Sequence, residues 1–177
     1  MRVIRKNAST SGREAVELLS SLFAMEVLSP SRCIWVISPW VSDIPLLDNR
    51  FGGFPTLDEV GQRVLTLSEV LVALADRGSY VVVATRPDSS NQRFVSQLTL
   101  LATSAGLMDR MTITVVERDQ RLHDKSLAGD NYVVAGSMNF TTSGTLLNEE
   151  QVQLHTDPAY VAQTQTDLYQ RFGGDLG

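Results

Sequence analysis

The feature that most constrains the fold is a rhythm, in which short apolar runs alternate with segments whose apolar residues recur every three or four positions. Ser11, with Glu14 three residues on, opens the first such segment, where Ala15, Leu18, Leu19, Leu22 and Phe23 fall on one helical face. Pro30 and Ser31 end it, and Cys33-Ile34-Trp35-Val36-Ile37 reads as a buried strand that stops at Ser38-Pro39-Trp40. A second capping pair, Thr66 and Glu69, introduces a helix with Leu67, Val70, Leu71 and Leu74 on its apolar side and Gly78 as its stop. A strand over 80–84, a helix carrying Phe94, Val95, Leu98, Leu101 and Ala102, and a strand over 111–116 follow. Such β-α-β-α-β alternation predicts an α/β fold, with helices covering the faces of the sheet.

The second half changes rhythm. Strands over 125–128 and 132–135, joined by Gly129-Asp130-Asn131, predict an antiparallel hairpin, so the sheet is expected to be mixed. A further strand is expected over 150–155, and then a helix opened by Asp157 and Pro158 that buries Val161, Leu168, Tyr169 and Phe172. Residues 43–64, rich in turn formers, read as a long loop with one short helix at most. At 177 residues and 43% apolar content the chain suits one domain over 1–177.

Composition excludes several classes. A net charge of −5 and a pI near 5.0 lack the global basic excess that often marks nucleic-acid binders, so an anion site must be a local patch. Two histidines and one cysteine are too few for a zinc site, and a lone cysteine, Cys33, forms no internal disulfide; a reducing, cytoplasmic location and no metal or cofactor are expected. No window approaches the roughly 20 apolar residues that span a bilayer, and charges at Arg13, Glu14 and Glu17 interrupt any signal-like stretch. A stable membrane anchor is not expected.

Polar residues gather where a structural hairpin needs few. His123 and Lys125, two apart in an extended segment, present an imidazole and an ammonium on one side. After the next strand Gly136 permits close backbone approach, and Ser137 and Asn139, again two apart, offer a hydroxyl and an amide to the same anion. Arg118 and Arg121 add positive charge leading into Lys125, and Arg50, Arg63 and Arg86 are further candidates for that patch. Trp40, after Ser38-Pro39, reads either as a core residue or as one that contacts substrate.

The spacing His123-Asp124-Lys125, Asp130, Gly136-Ser137-Met138-Asn139 resembles the signature motif of the phospholipase D superfamily, and Asn148-Glu149-Glu150 resembles the Asn-x-Glu that follows it in many members. The interval from Asp130 to Gly136 is one residue shorter than the commonest form, which implies a tighter hairpin. The resemblance implies a phospholipase D-like fold and metal-independent phosphodiester chemistry. His123 would attack phosphorus and form a phosphohistidine while a second histidine serves as acid and then base. Lys125 and Asn139, with Ser137, would hold the non-bridging oxygens; Glu150 would orient His123; Trp40 and Arg121 would contact substrate; Asp130 and Gly136 would shape the hairpin.

One motif supplies one such histidine, and single-motif members of the superfamily pair as homodimers that bring two motifs together. The competing arrangement uses His155, the only other histidine, within one chain. The resemblance further implies a nuclease-type enzyme acting on DNA or RNA. It extends to the small DpdK-type proteins of bacterial genome-defence clusters, which would add defence-complex proteins as partners. Phospholipid hydrolysis, with Phe51, Phe54 and Leu57 as an apolar rim, and a non-catalytic nucleic-acid-binding subunit are the alternatives.

Overall fold

The computed structural model describes residues 2–5, 13–117, 122–143 and 151–177. In chain order these form β1 (Arg2–Arg5), α1 (Arg13–Leu28), β2 (Cys33–Ile37), β3 (Pro45–Asp48), a 3-10 turn (Pro55–Val60), β4 (Val64–Thr66), α2 (Leu67–Asp76) and β5 (Tyr80–Thr85). They continue with α3 (Ser89–Ser104), β6 (Met111–Val115), β7 (Ser126–Ala128), β8 (Val133–Gly136), β9 (Gln151–His155) and α4 (Pro158–Phe172). Seven strands make one sheet in the order β1-β9-β8-β7-β2-β5-β6. Strands β2, β5 and β6 run parallel, whereas β7, β8, β9 and β1 add antiparallel on the other side of β2. The expected α/β class and mixed sheet are therefore what the chain forms.

The uninterrupted apolar runs of β2 and β5 explain the layers. A strand whose every side chain is apolar must be covered on both faces. Ile34, Val36, Val81 and Val83 pack with Phe23 of α1, Leu71 of α2 and Phe94 of α3 on one face. Cys33, Trp35, Ile37, Val82 and Ala84 pack with Val161, Leu168 and Phe172 of α4 on the other. Burial on that face pushes the Cys33 thiol up to about 12, which leaves it an unreactive core group.

Caps account for the helix boundaries. Thr66 and Glu69 form the expected capping box, with the Thr66 backbone N–H donating to Glu69 Oε2 at 2.9 Å. Asp157 accepts from the Tyr160 N–H at 2.9 Å, and Pro158 occupies the first turn of α4.

Two sequence expectations change, and one strand is added that the sequence did not announce. Residues 43–64 hold not a loose loop but the antiparallel pair β3–β4 and a 3-10 turn, because Leu46, Leu47, Leu57 and Leu65 are buried and draw the segment onto the core. The buried Asn49 side chain accepts from the Phe54 N–H at 2.9 Å and fixes the turn. Tyr169 lies on the solvent side of α4 rather than in the core. Arg2–Arg5, too short and too charged to read as a strand, pairs antiparallel with β9.

Candidate active site

Strands β2 and β5 finish at the sheet edge where β7 begins and β8 ends, since Ile37 pairs with Ser126, Ser126 with Ala135, and Gly136 with Val152. Among the described residues, His123, Lys125, Gly136, Ser137 and Asn139 lie along this edge. It is also where ligands of open α/β sheets gather, beyond the carboxyl ends of parallel strands.

His123 is exposed just before β7, and Lys125 is half-buried beside it. Residues 122–125 lie outside β7, so their shared side does not come from strand alternation as expected. Instead the Lys125 ammonium donates to the His123 carbonyl at 3.1 Å, folding the two residues around one point. Both line a cavity of about 410 Å³ together with Ser126, Gly136 and, from α4, Leu168 and Arg171. Asp124, between His123 and Lys125, lines the same cavity and pairs with Arg171 near the end of α4. The helix on the far face of the sheet thus anchors the segment that carries His123.

Gly136 is required by its neighbour. A Cβ there would sit 2.0 Å from the Gln151 carbonyl oxygen, inside any tolerable contact. The absence of a side chain lets β8 run against β9, and the pairing continues as Ser137 N–H donates to the Gln151 carbonyl and Gln151 N–H donates to Ser137 Oγ, both at 3.0 Å. Two residues on, half-buried Asn139 accepts from Ser38 Oγ at 3.2 Å through its amide oxygen. That bond leaves the amide NH2 end to act as a donor.

Two residues that sequence reasoning passed over hold this edge together. Ser38, fully buried at the end of β2, reaches both Asn139 and the Trp40 carbonyl, the latter at 2.9 Å. Asn91 in the first turn of α3 donates to the Pro39 carbonyl at 2.9 Å and accepts from the Val41 N–H at 2.9 Å, so the turn carrying Trp40 is clamped from both sides. The available signal for Asn91 was its spacing of three, four and seven residues from Phe94, Val95 and Leu98, which sets an amide on the apolar face of the helix.

Trp40 is no core residue: it is 38% exposed, with the Arg86 guanidinium 5.6 Å from its ring centre, whereas Trp35 fills the interior. It stands at the same edge as Asn139 but outside the cavity that contains His123. Arg50 and Arg63 do not join a basic patch. Arg50 is bound to Asp48 at 2.6 Å and Arg63 to Glu69 at 2.5 Å, and these pairings hold the Asp48 carboxyl down to about 2 and that of Glu69 below its usual range. Arg118, Arg121, Asn148, Glu149 and Glu150 lie outside the described residues.

Asp130 sits at the opposite end of the hairpin from His123. Its carboxylate accepts from the Arg32 N–H at 3.2 Å, and its own N–H donates to Ser31 Oγ at 2.9 Å. His155 is also remote from the motif. It pairs with Val133, two strands across and two positions beyond the level of Ser126, and stacks on Tyr160 with ring centres 4.2 Å apart. Among the described residues, no three His, Cys, Asp or Glu side chains are grouped to hold a metal ion.

An imidazole and an ammonium thus lie at the carboxyl edge of a mixed α/β sheet, with an amide and a hydroxyl on the adjoining strand end. A model of the phospholipase D-like domain of cardiolipin synthase matches residues 63–172, more than half of the chain, and the chain belongs to the phospholipase D superfamily. No curated protein matches it.

Among solved structures the fold is similar to Nuc from Salmonella typhimurium, a phospholipase D family member, with a TM-score of 0.58 and 17% identity over 99% of each chain. It is similar to NucT from Helicobacter pylori, with a TM-score of 0.56 and 13% identity over 98% of each chain. TrmBL2, an archaeal chromatin protein described as showing a novel mode of DNA binding, matches with a TM-score of 0.50 and 13% identity, over 98% of this chain and 53% of its own. No helix among the described residues is long and apolar enough to cross a membrane.

Proposed function

We propose that the protein is a metal-independent phosphodiesterase of the nuclease type, with His123 as its nucleophile and a homodimer as its working form. The observation that carries this reading is the exposed His123 imidazole at a cavity mouth, flanked by the Lys125 ammonium and continuous with the Gly136 edge. In the first step an imidazole nitrogen of His123 bonds to phosphorus, and the P–O ester bond breaks as its oxygen takes the electron pair and a proton from the partner's His123. Water, deprotonated by that same second imidazole, then attacks phosphorus and the P–N bond breaks, restoring His123. Lys125 and the Asn139 amide offset the charge that builds on the non-bridging oxygens.

The need for a second chain follows from histidine count and position. The only other histidine, His155, is stacked on Tyr160 and bonded to Gln153 at 3.2 Å, at the far end of its strand. A nucleic-acid substrate is favoured by the near-complete mutual coverage with Nuc and NucT and by the DNA binding described for TrmBL2. The apolar rim that a lipid substrate would use is reduced, because Leu57 is buried and Phe54 packs on the core, leaving Phe51 alone exposed, at 93%. The defence-complex role rests on the sequence resemblance to DpdK-type proteins.

A panel of single-stranded DNA, duplex DNA, RNA and phospholipid vesicles, assayed in chelator, tests the reading. Cleavage of a nucleic acid that is lost in His123→Ala is expected. Cleavage of vesicles alone would transfer the chemistry to lipids, and salt-sensitive binding without turnover would make the chain a binding subunit.

A further inference from the structure

The cavity that opens at His123 extends past the groups the phosphodiester chemistry uses. From its cationic mouth it runs between β8 and α4, over a floor of Val133, Ala135 and Leu168, to a wall formed by Tyr160. Tyr160 is 42% exposed, and its ring is backed by His155 at an interplanar angle of 21°. His155 is itself held by Gln153. The aromatic wall is therefore a supported flat surface rather than a swinging side chain. Its volume, about 410 Å³, lies within the range of small-ligand sites.

Charge is unevenly spread over the cavity. His123 and Lys125 lie at one end, where Asp124 pairs with Arg171, while Asp167, one turn of α4 nearer Tyr160, opposes a second anion there. One anion at the mouth and one flat, uncharged, largely apolar group inside is the ligand this distribution accepts. A nucleotide has that shape and that separation of charge.

We propose that this groove is the subsite for the nucleobase adjoining the cleaved phosphodiester, with Tyr160 as its stacking surface. The inference rests on the reading of His123 as the phosphate-facing nucleophile, and it deepens that reading by naming how a nucleic-acid strand is held. Alanine substitution at base-stacking aromatics weakens binding by about fivefold or more. The same loss is expected here.

The chain has only two histidines, which makes the test direct. A nucleoside 5′-monophosphate and ribose 5-phosphate are titrated into the full chain, following the imidazole proton signals of His123 and His155 and the ring signals of Tyr160 by NMR. The nucleotide should bind about fivefold or more tighter than ribose 5-phosphate and should move Tyr160 and His155 as well as His123, whereas the sugar phosphate moves His123 alone. Tyr160→Ala should erase the difference and Tyr160→Phe should keep it. Equal binding of the two ligands, or tighter binding of glycerophosphocholine, would overturn the subsite. Movement of Tyr160 without His123 would leave the base subsite standing and count against the phosphate reading of His123.

Discussion

Single atoms decide the site. Gly136 is the clearest case, because a methyl group there meets a backbone carbonyl that has no rotamer to escape into. Gly136→Ala is expected to destabilise the protein by about 1–3 kcal/mol or more, measured by denaturant unfolding, and to impair turnover by parting β8 from β9. An unchanged unfolding midpoint would show that the strands separate at no cost. Ser38 acts at one remove, since its hydroxyl holds Asn139 by the oxygen and so aims the amide nitrogen. Loss of a bond worth about 1 kcal/mol predicts a roughly fivefold fall in kcat/KM for Ser38→Ala, carried by kcat. A fall in thermal stability with kcat intact would reduce Ser38 to a structural role.

At the scale of elements, the hairpin β7–β8 is braced at the end opposite the chemistry. The fully buried Glu26 carboxylate accepts from Ser31 N–H at 2.7 Å and Ser31 Oγ at 2.8 Å, with the Tyr132 hydroxyl buried against it. Gly129 fits beside them only because a Cβ would lie 2.7 Å from Glu26 Oε1 and Ser31 Oγ. Burial raises the Glu26 carboxyl above its ordinary 4.5, against the hydrogen bonds from Ser31. A raised carboxyl favours the folded state fully below the unfolded value, and that contribution is lost as pH rises through the folded value. Glu26→Gln should therefore gain on the wild type in melting temperature as pH rises above 4.5, and a pH-independent difference would contradict the assignment.

This brace was half legible in the sequence. Gly129-Asp130-Asn131 announced a turn and Asp130 its stiffening, but Glu26 read as one more polar position on an amphipathic helix. Nothing local says that it faces the hairpin. The strands β2, β5 and β9 and helices α2, α3 and α4 followed from apolar periodicity and capping residues. Periodicity has nothing to grip in 43–66, where two short strands are held by burial of the segment's own Leu46, Leu47, Leu57 and Leu65 against a core assembled from distant parts of the chain. The same limit applied to Trp40, whose position depends on the clamp from Asn91 in α3. The motif stands out in the sequence because its spacing is itself the signal; the residues that pack around it do not, because each acts across the fold.

For the whole molecule the account requires two chains. The sheet keeps its one exposed imidazole at the edge and its other histidine under α4, so the acid of the first step must come from elsewhere. The protein should sediment as a dimer, and His155→Ala should retain turnover. Mixing wild-type with His123→Ala chains should depress activity in proportion to the mixed dimers formed. A fully active monomer that loses turnover on His155→Ala would reverse this account.

The most direct measurement is of the covalent intermediate. A phosphodiester carrying radioactive phosphorus is incubated with the protein in chelator and quenched in alkali, and the labelled peptide is identified. The account predicts an acid-labile, base-stable label on the peptide containing His123, absent from His123→Ala. Turnover in chelator that persists in His123→Ala, with no label on that peptide in the wild type, would contradict it.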